Sequence, residues 1–293
     1  MSSVTVEKDI VFGRGGDVDL LLDVFRPPAE VDKHVAVIQV YGGGFRNGSK
    51  DRHVDDRAKE LAERGYTGVT CNYRLSGVAK WPAQVHDVKA AIRWTRANAE
   101  YLGVEPDKIC IAGYSAGGQL AMICAGSPDD ADLEGGGGNA GVSSAVAACV
   151  GFYSSYMKLA DDGGRGNEVM PEGSTPAEYD ATNPLAHIRP GYPPTILLYG
   201  TNDTGFPPPI AIGLFSKLQE VGTASELHLI AGLPHIFDRY QEFVDPCNQF
   251  IDLFLDRYVD PCNQFIDLFL DRYIVNPREY PAFVTGRPAT VTA

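Results

Sequence analysis

Along residues 4–12 and 19–26, apolar and polar positions alternate with a period of two, which predicts an antiparallel hairpin with one face toward a core. Beyond residue 30 the pattern changes. HVAVIQVY (34–41), YTGVTCNY (66–73), KICIAGY (108–114), SAVAACVGFY (144–153), TILLYG (195–200) and ELHLI (226–230) are short, continuous apolar runs rich in β-branched residues. Strands buried on both faces have this composition. Helix-length patterns separate most of them, as in WPAQVHDVKAAIRWTRANAEYLG (81–103), with Pro82 at the helix start and Gly103 at its end. The arrangement predicts a mostly parallel sheet with helices on both faces. Ligands of such sheets gather at the carboxyl ends of the strands, so the residues just after each run carry the candidate chemistry.

Two stretches interrupt the rhythm. SPDDADLEGGGGNAG (127–141) reads as a flexible loop, because four successive glycines cannot hold a helix against backbone entropy. Residues 158–194 are too long for an ordinary connection and are expected to form either a lid or specificity loop, or a surface excursion with a short helix. A third feature is a tandem repeat: VDPCNQFIDLFLDRY occupies 244–258 and recurs letter for letter at 259–273, before a tail over 274–293. In the first copy Cys247, Phe250, Ile251, Phe254 and Tyr258 share one helical face, and Asp245-Pro246 reads as a cap followed by the first helical residue. A 15-residue shift turns a helix by roughly 60° beyond whole turns, but Pro261 should kink or break a continuous rod. The first copy is expected to close the domain, and the second to project its Phe and Leu face onto another subunit, giving a homo-oligomer. The alternative is a passive duplication.

Composition narrows the classes of partner. A formal net charge of -13 offers no basic face, so nucleic acid and anionic membrane surfaces are not expected as partners. The first dozen residues carry charges and no apolar block of seven or more, so neither a secretory signal nor a membrane span is expected, and the expected location is cytoplasmic. The six cysteines are scattered without a CxxC pair and are expected to be free thiols, with no structural metal.

The candidate chemistry begins at IAGYSAGGQLA (111–121). Gly113-Tyr114-Ser115-Ala116-Gly117 fits the nucleophile-elbow pattern, in which a strand turns sharply into a helix with a serine at the tip. Small neighbours are required where strand and helix approach closely, and the helix N-terminus favours a developing anion. An oxyanion needs at least two preset donors. One is assigned to the Ala116 amide, and the others to Gly43 and Gly44 in VYGGGFRNG (40–48), which follows the first buried run. A neutral serine also needs a base, and the base needs a carboxylate to orient it. Asp203 in LLYGTNDTGFPP and His235 in LIAGLPHIF each follow a buried run and supply the chain order Ser, acid, His. His34, His53, His86, His187 and His228 read as ordinary, and Asp238 reads as a surface or capping residue.

At these positions the chain resembles the α/β-hydrolase superfamily. More narrowly it is similar to the hormone-sensitive-lipase-like esterases and to the small bacterial esterases that include feruloyl and acetyl-xylan esterases. The resemblance spans about residues 19–258 and rests on YGGGF, the 81–121 segment, NPLAHI, PPTILLYGTND and LPHIF. It implies a single α/β-hydrolase domain and a serine carboxylic ester hydrolase that needs no metal or organic cofactor. Small-acyl esters, such as acetyl or aryl esters of carbohydrate, are the implied substrates. An amidase resembling kynurenine formamidase and a catalytically silent binding protein remain alternatives. Two positions depart from the family: Tyr41 stands where its loop usually begins with histidine, and Ile236 where glycine often follows the base. The segment before the hairpin is short beside the family's N-terminal caps, so an open site is expected, lined partly by residues 158–194.

Overall fold

The structure, a computed structural model, describes residues 3–128, 130–155, 159 and 165–259. The alternating segments form β1 (Thr5–Gly15) and β2 (Val18–Arg26), paired antiparallel. Each continuous apolar run contributes one strand: β3 (Val35–Val40), β4 (Tyr66–Cys71), β5 (Ile109–Tyr114), β6 (Cys149–Phe152), β7 (Thr195–Gly200) and β8 (Ser225–Ile230). They make one eight-stranded sheet in the order β1-β2-β4-β3-β5-β6-β7-β8. β2 is antiparallel to β4, and every later pairing is parallel. The expected α/β architecture with an N-terminal hairpin is therefore present. Every residue of β3 to β7 is buried, whereas β8 is mostly half-buried, because it is the sheet's edge strand and no further strand flanks it among the described residues.

The helices are α1 (Val54–Glu63), α2 (Ala83–Ala97), α3 (Ala99–Leu102), α4 (Ala116–Gly126), α5 (Ala131–Glu134), α6 (Arg165–Val169), α7 (Pro176–Asp180), α8 (Pro208–Glu220) and α9 (Gln241–Tyr258), of which α1, α2, α4, α8 and α9 pack on the sheet. Pro82 occupies the cap position of α2, and Gly103 closes α3 in the left-handed conformation. α9 buries Val244, Cys247, Ile251, Phe254 and Leu255, close to the face expected from the first repeat copy. It begins at Gln241, however, and not at Asp245-Pro246, so Pro246 lies inside the helix. Burial of Val244 at 4% exposure accounts for the earlier start, because the turn before the proline carries part of the core face. The second copy beyond residue 259 and the tail lie outside the described residues. No helix among the described residues is long and apolar enough to cross a membrane.

The glycine-rich loop after α5 is docked, contrary to the flexible loop its composition predicts. Arg93 on α2 donates to the Glu134 carbonyl at 2.8 Å and to the Gly138 carbonyl at 3.0 Å, while the Arg14 amide donates to the Gly137 carbonyl at 2.8 Å. The absence of side chains is what permits this. A Cβ on Gly13 would fall 1.9 Å from the Gly137 oxygen. Gly13→Ala must push the loop off β1, at a cost of about 1–3 kcal/mol for an overpacked contact. A lowered midpoint in thermal or urea unfolding checks this, and an unaltered midpoint would contradict it.

Parallel pairing decides where the chemistry can assemble. β3 has β4 on one side and β5 on the other, so the chain's winding reverses there and a crevice opens beyond its carboxyl end. The register pairs Val40 with Gly113, which sets the loop after β3 beside the turn after β5.

Candidate active site

Ser115 stands at the turn between β5 and α4 with φ 56° and ψ -119°, a conformation that L-residues avoid. The turn is pinned on both sides. The Ser115 amide donates to the Phe152 carbonyl at the end of β6, and its carbonyl accepts from the Gln119 amide, each at 3.0 Å. The small neighbours have direct steric reasons: a Cβ on Gly113 would lie 2.2 Å from the Gly117 oxygen, and one on Gly117 would lie 2.1 Å from the Val40 oxygen.

His235 follows β8, and its Nε2 lies 3.0 Å from Ser115 Oγ. Its Nδ1 lies 2.6 Å from Asp203 Oδ2. With the carboxylate accepting at Nδ1–H, Nε2 is left as the acceptor for the serine hydroxyl. Asp203 is itself held by an Asx turn beyond β7, where Oδ1 accepts from the amides of Gly205 at 2.9 Å and Phe206 at 2.8 Å. Burial alone would raise its pKa, but the hydrogen bonds from His235 and from these amides outweigh burial and hold the carboxyl below its usual range. The imidazole packs against the edges and faces of Tyr153, 4.5 Å between centroids, and Phe206, 5.2 Å. The three residues expected to converge from distant parts of the chain do so.

The loop after β3 runs alongside. A Cβ on Gly42 would come within 3.1 Å of Ser115 Cβ, and Gly43 has φ 123°, which favours glycine. The Gly43 carbonyl accepts from the amides of Arg46 and Asn47, while the amides of Gly43, Gly44 and Ala116 have no partner among the described residues. Tyr41, at the position where the resembled family has histidine, anchors the loop by a reciprocal pair. Its hydroxyl donates to the Tyr73 carbonyl at 3.1 Å, the Tyr73 hydroxyl donates to the Tyr41 carbonyl at 3.2 Å, and the rings stack with centroids 4.3 Å apart. Tyr41→Phe deletes one of these bonds and leaves the buried Tyr73 carbonyl short of a donor, so a stability loss of about 1 kcal/mol is expected. A fall in kcat should accompany it, because the same loop carries Gly43 and Gly44; chemical denaturation and steady-state rates check the two effects.

These elements enclose a cavity of about 930 Å³, lined among others by Gly43, Gly44, Ser115 and His235. Among the described residues, none from the 158–194 insertion lines it. That insertion is tied to neighbouring segments instead: the Trp81 amide donates to the Val169 carbonyl at 2.9 Å, and Glu168 pairs with Arg46 at 3.0 Å. Ile236 does line the cavity, with φ 57°, so a β-branched side chain occupies a conformation in which glycine would be unstrained.

Two residues near the site correct the sequence reading, His53 in the cavity lining and Asp238 beside it. Asp238, expected at the surface or in a cap, is fully buried: Oδ1 accepts from the Tyr153 hydroxyl at 2.6 Å, and Oδ2 lies 2.5 Å from His53 Nε2. His53, expected to be an ordinary helical histidine, precedes α1 with φ 65° and faces the cavity. Of the eight non-glycine residues with positive φ among the described residues, His53, Ser115, Tyr153 and Ile236 line this one cavity, so backbone strain is concentrated here.

Five cysteines lie within the described residues, all buried and free. Burial pushes the thiols of Cys110, Cys124 and Cys247 up to about 12 and raises those of Cys71 and Cys149 as well. None of these is a competing nucleophile at neutral pH.

Comparison with known proteins adds lineage to the geometry. Residues 22–218 match the BD-FAE family. Esterase LipQ of Mycobacterium tuberculosis is 31% identical over 78% of this chain and 57% of its own length. The chain thus spans a little over half the length of the curated relatives it matches. The butyrate-bound structure of the thermophilic esterase Est2 from Thermogutta terrifontis superposes with a TM-score of 0.73 at 28% identity, covering 89% of this chain and 97% of that one. A bifunctional GH43-CE protein of Bacteroides eggerthii gives a TM-score of 0.71 at 27% identity over 84% of this chain and 37% of its own.

Proposed function

Since the chain belongs to the BD-FAE family and has the α/β-hydrolase fold, we propose that it is a serine carboxylic ester hydrolase for small-acyl esters, acting through an acyl-enzyme. The observation that carries this reading is the unbroken relay from Ser115 Oγ to His235 Nε2 at 3.0 Å and from His235 Nδ1 to Asp203 Oδ2 at 2.6 Å. In the first step His235 Nε2 takes the Ser115 proton as Oγ attacks the acyl carbon, and Asp203 stabilises the imidazolium that forms. The amides of Gly43, Gly44 and Ala116 receive the oxyanion, and one such donor is worth about 3 kcal/mol of transition-state stabilisation. His235 then protonates the departing alcohol. Water, deprotonated by the same nitrogen, releases the acid and restores Ser115.

The butyrate held by Est2 supports a short acyl chain, and the GH43-CE relative supports a carbohydrate alcohol portion. The test is a serine-reactive phosphonate with peptide mapping, followed by a panel of 4-nitrophenyl acetate, butyrate and octanoate beside a formanilide. Label on Ser115 and fastest turnover of the short esters are expected. Faster turnover of the formanilide would make the protein an amidase, and a folded protein inert to the phosphonate would make it a binding protein.

A further inference from the structure

His53, which lines the cavity that holds Ser115, forms a second imidazole–carboxylate pair with the buried Asp238, which lies outside the cavity lining. Asp238 has no exposed surface, and each of its oxygens faces a cavity residue, Tyr153 on one side and His53 on the other. His53 is bounded by the Tyr114 ring edge-on at 5.1 Å, and its backbone is held in the left-handed region immediately before α1. Its Nε2 lies 2.5 Å from Asp238 Oδ2, a close electrostatic contact outside hydrogen-bond geometry, since neither atom has a hydrogen-bond partner among the described residues. Its Nδ1 makes no hydrogen bond among the described residues, and the ring lines the cavity.

Resting on the ester-hydrolase reading, we infer that His53 is a specificity-determining residue whose Nδ1 binds a hydroxyl group of the ester substrate, with Asp238 as its positioning residue. A lone pair on Nε2 would face the Asp238 oxygen 2.5 Å away, so the proton is favoured there, which leaves Nδ1 of the neutral ring as an acceptor that requires a donor. A hydroxyl supplies one, and it can also accept if the ring is protonated. A hydrocarbon chain supplies neither and would leave Nδ1 desolvated and unpaired, which is how a polar site rejects an analogue lacking the group it was built to bind. The hydroxyl can belong to the acyl or to the alcohol portion of the ester.

Two matched pairs distinguish these sources: 4-nitrophenyl 3-hydroxybutyrate against 4-nitrophenyl butyrate, and ethylene glycol monoacetate against propyl acetate. The protein should prefer the hydroxylated member of at least one pair in kcat/KM. In His53→Phe that preference should shrink about tenfold to a hundredfold, chiefly through KM. His53→Asn, which suits the left-handed backbone but is too short to reach the same point, should give the same collapse if the Phe variant fails to fold. Equal losses on both members of each pair, or no preference in the unaltered protein, would overturn the inference and leave the pair a structural tie. Failure of the hydrolase reading looks different. No member of either pair would be turned over and the phosphonate would leave Ser115 unmodified, which would overturn this role for His53 too.

Discussion

Replacing Ser115 with alanine is expected to lower kcat for 4-nitrophenyl acetate by about 10^4- to 10^6-fold, the range seen when a nucleophile that acts as one unit with its base is removed. The expectation is specific to the oxygen. Alanine accepts the same strained backbone as serine, with one Cβ and no branching, so the turn between β5 and α4, pinned by the Phe152 carbonyl and the Gln119 amide, has no reason to relax. The base and its carboxylate stay in place, and so do the amides of the loop after β3. A residual rate of about 10^3 to 10^4 over the uncatalysed reaction should therefore persist, supplied by binding and oxyanion stabilisation alone. No described cysteine can substitute, since all five are buried with raised pKa values. Thermal unfolding should move little, as only one hydrogen bond at a partly exposed hydroxyl is lost. A variant that is folded, unlabelled by phosphonate and still within about tenfold of the original rate would remove Ser115 from the mechanism.

What the sequence revealed divides along a physical line. Ser115 was legible because its setting is local: a buried run, three small neighbours and a helix start lie within a dozen residues. Asp203 and His235 were legible because each directly follows a run that must be a parallel strand, and parallel strands deliver their carboxyl ends to one rim. Asp238 was not legible. Its partners come from the approach to α1 and from the end of β6, and nothing in a single chain's periodicity connects those positions to the residue three places after His235. The same limit explains the glycine loop. Composition reports the conformational freedom of residues 135–138, whereas their docking depends on Gly13 and Arg93, which lie elsewhere in the chain. The start of α9 was misplaced for a different reason: a proline suggests a first turn, but burial of Val244 outweighed that preference.

Asp203→Asn should cost about 10^4-fold in kcat while leaving the fold intact, through the wrong tautomer. The surrounding hydrogen bonds decide which way the new amide points. The amides of Gly205 and Phe206, at 2.9 and 2.8 Å from Oδ1, are donors and will hold the asparagine carbonyl oxygen. The NH2 group must then face His235, at the position where Oδ2 now lies 2.6 Å from Nδ1. A donor there makes Nδ1 the acceptor and moves the ring proton to Nε2, which can no longer accept from Ser115. Nitrogen NMR of the imidazole should report the exchanged tautomer together with the rate loss, whereas a fall in rate below about a hundredfold with the original tautomer retained would separate Asp203 from the base. The same substitution has a signature in stability. Because the Asp203 carboxyl is held below its usual range in the folded state, the unfolded chain binds the extra proton first as pH falls. Its contribution is complete above the ordinary carboxylate range and is lost as pH drops through the lowered folded value. The asparagine variant has no such group to protonate, so its stability should fall less steeply over that acid interval than that of the original protein.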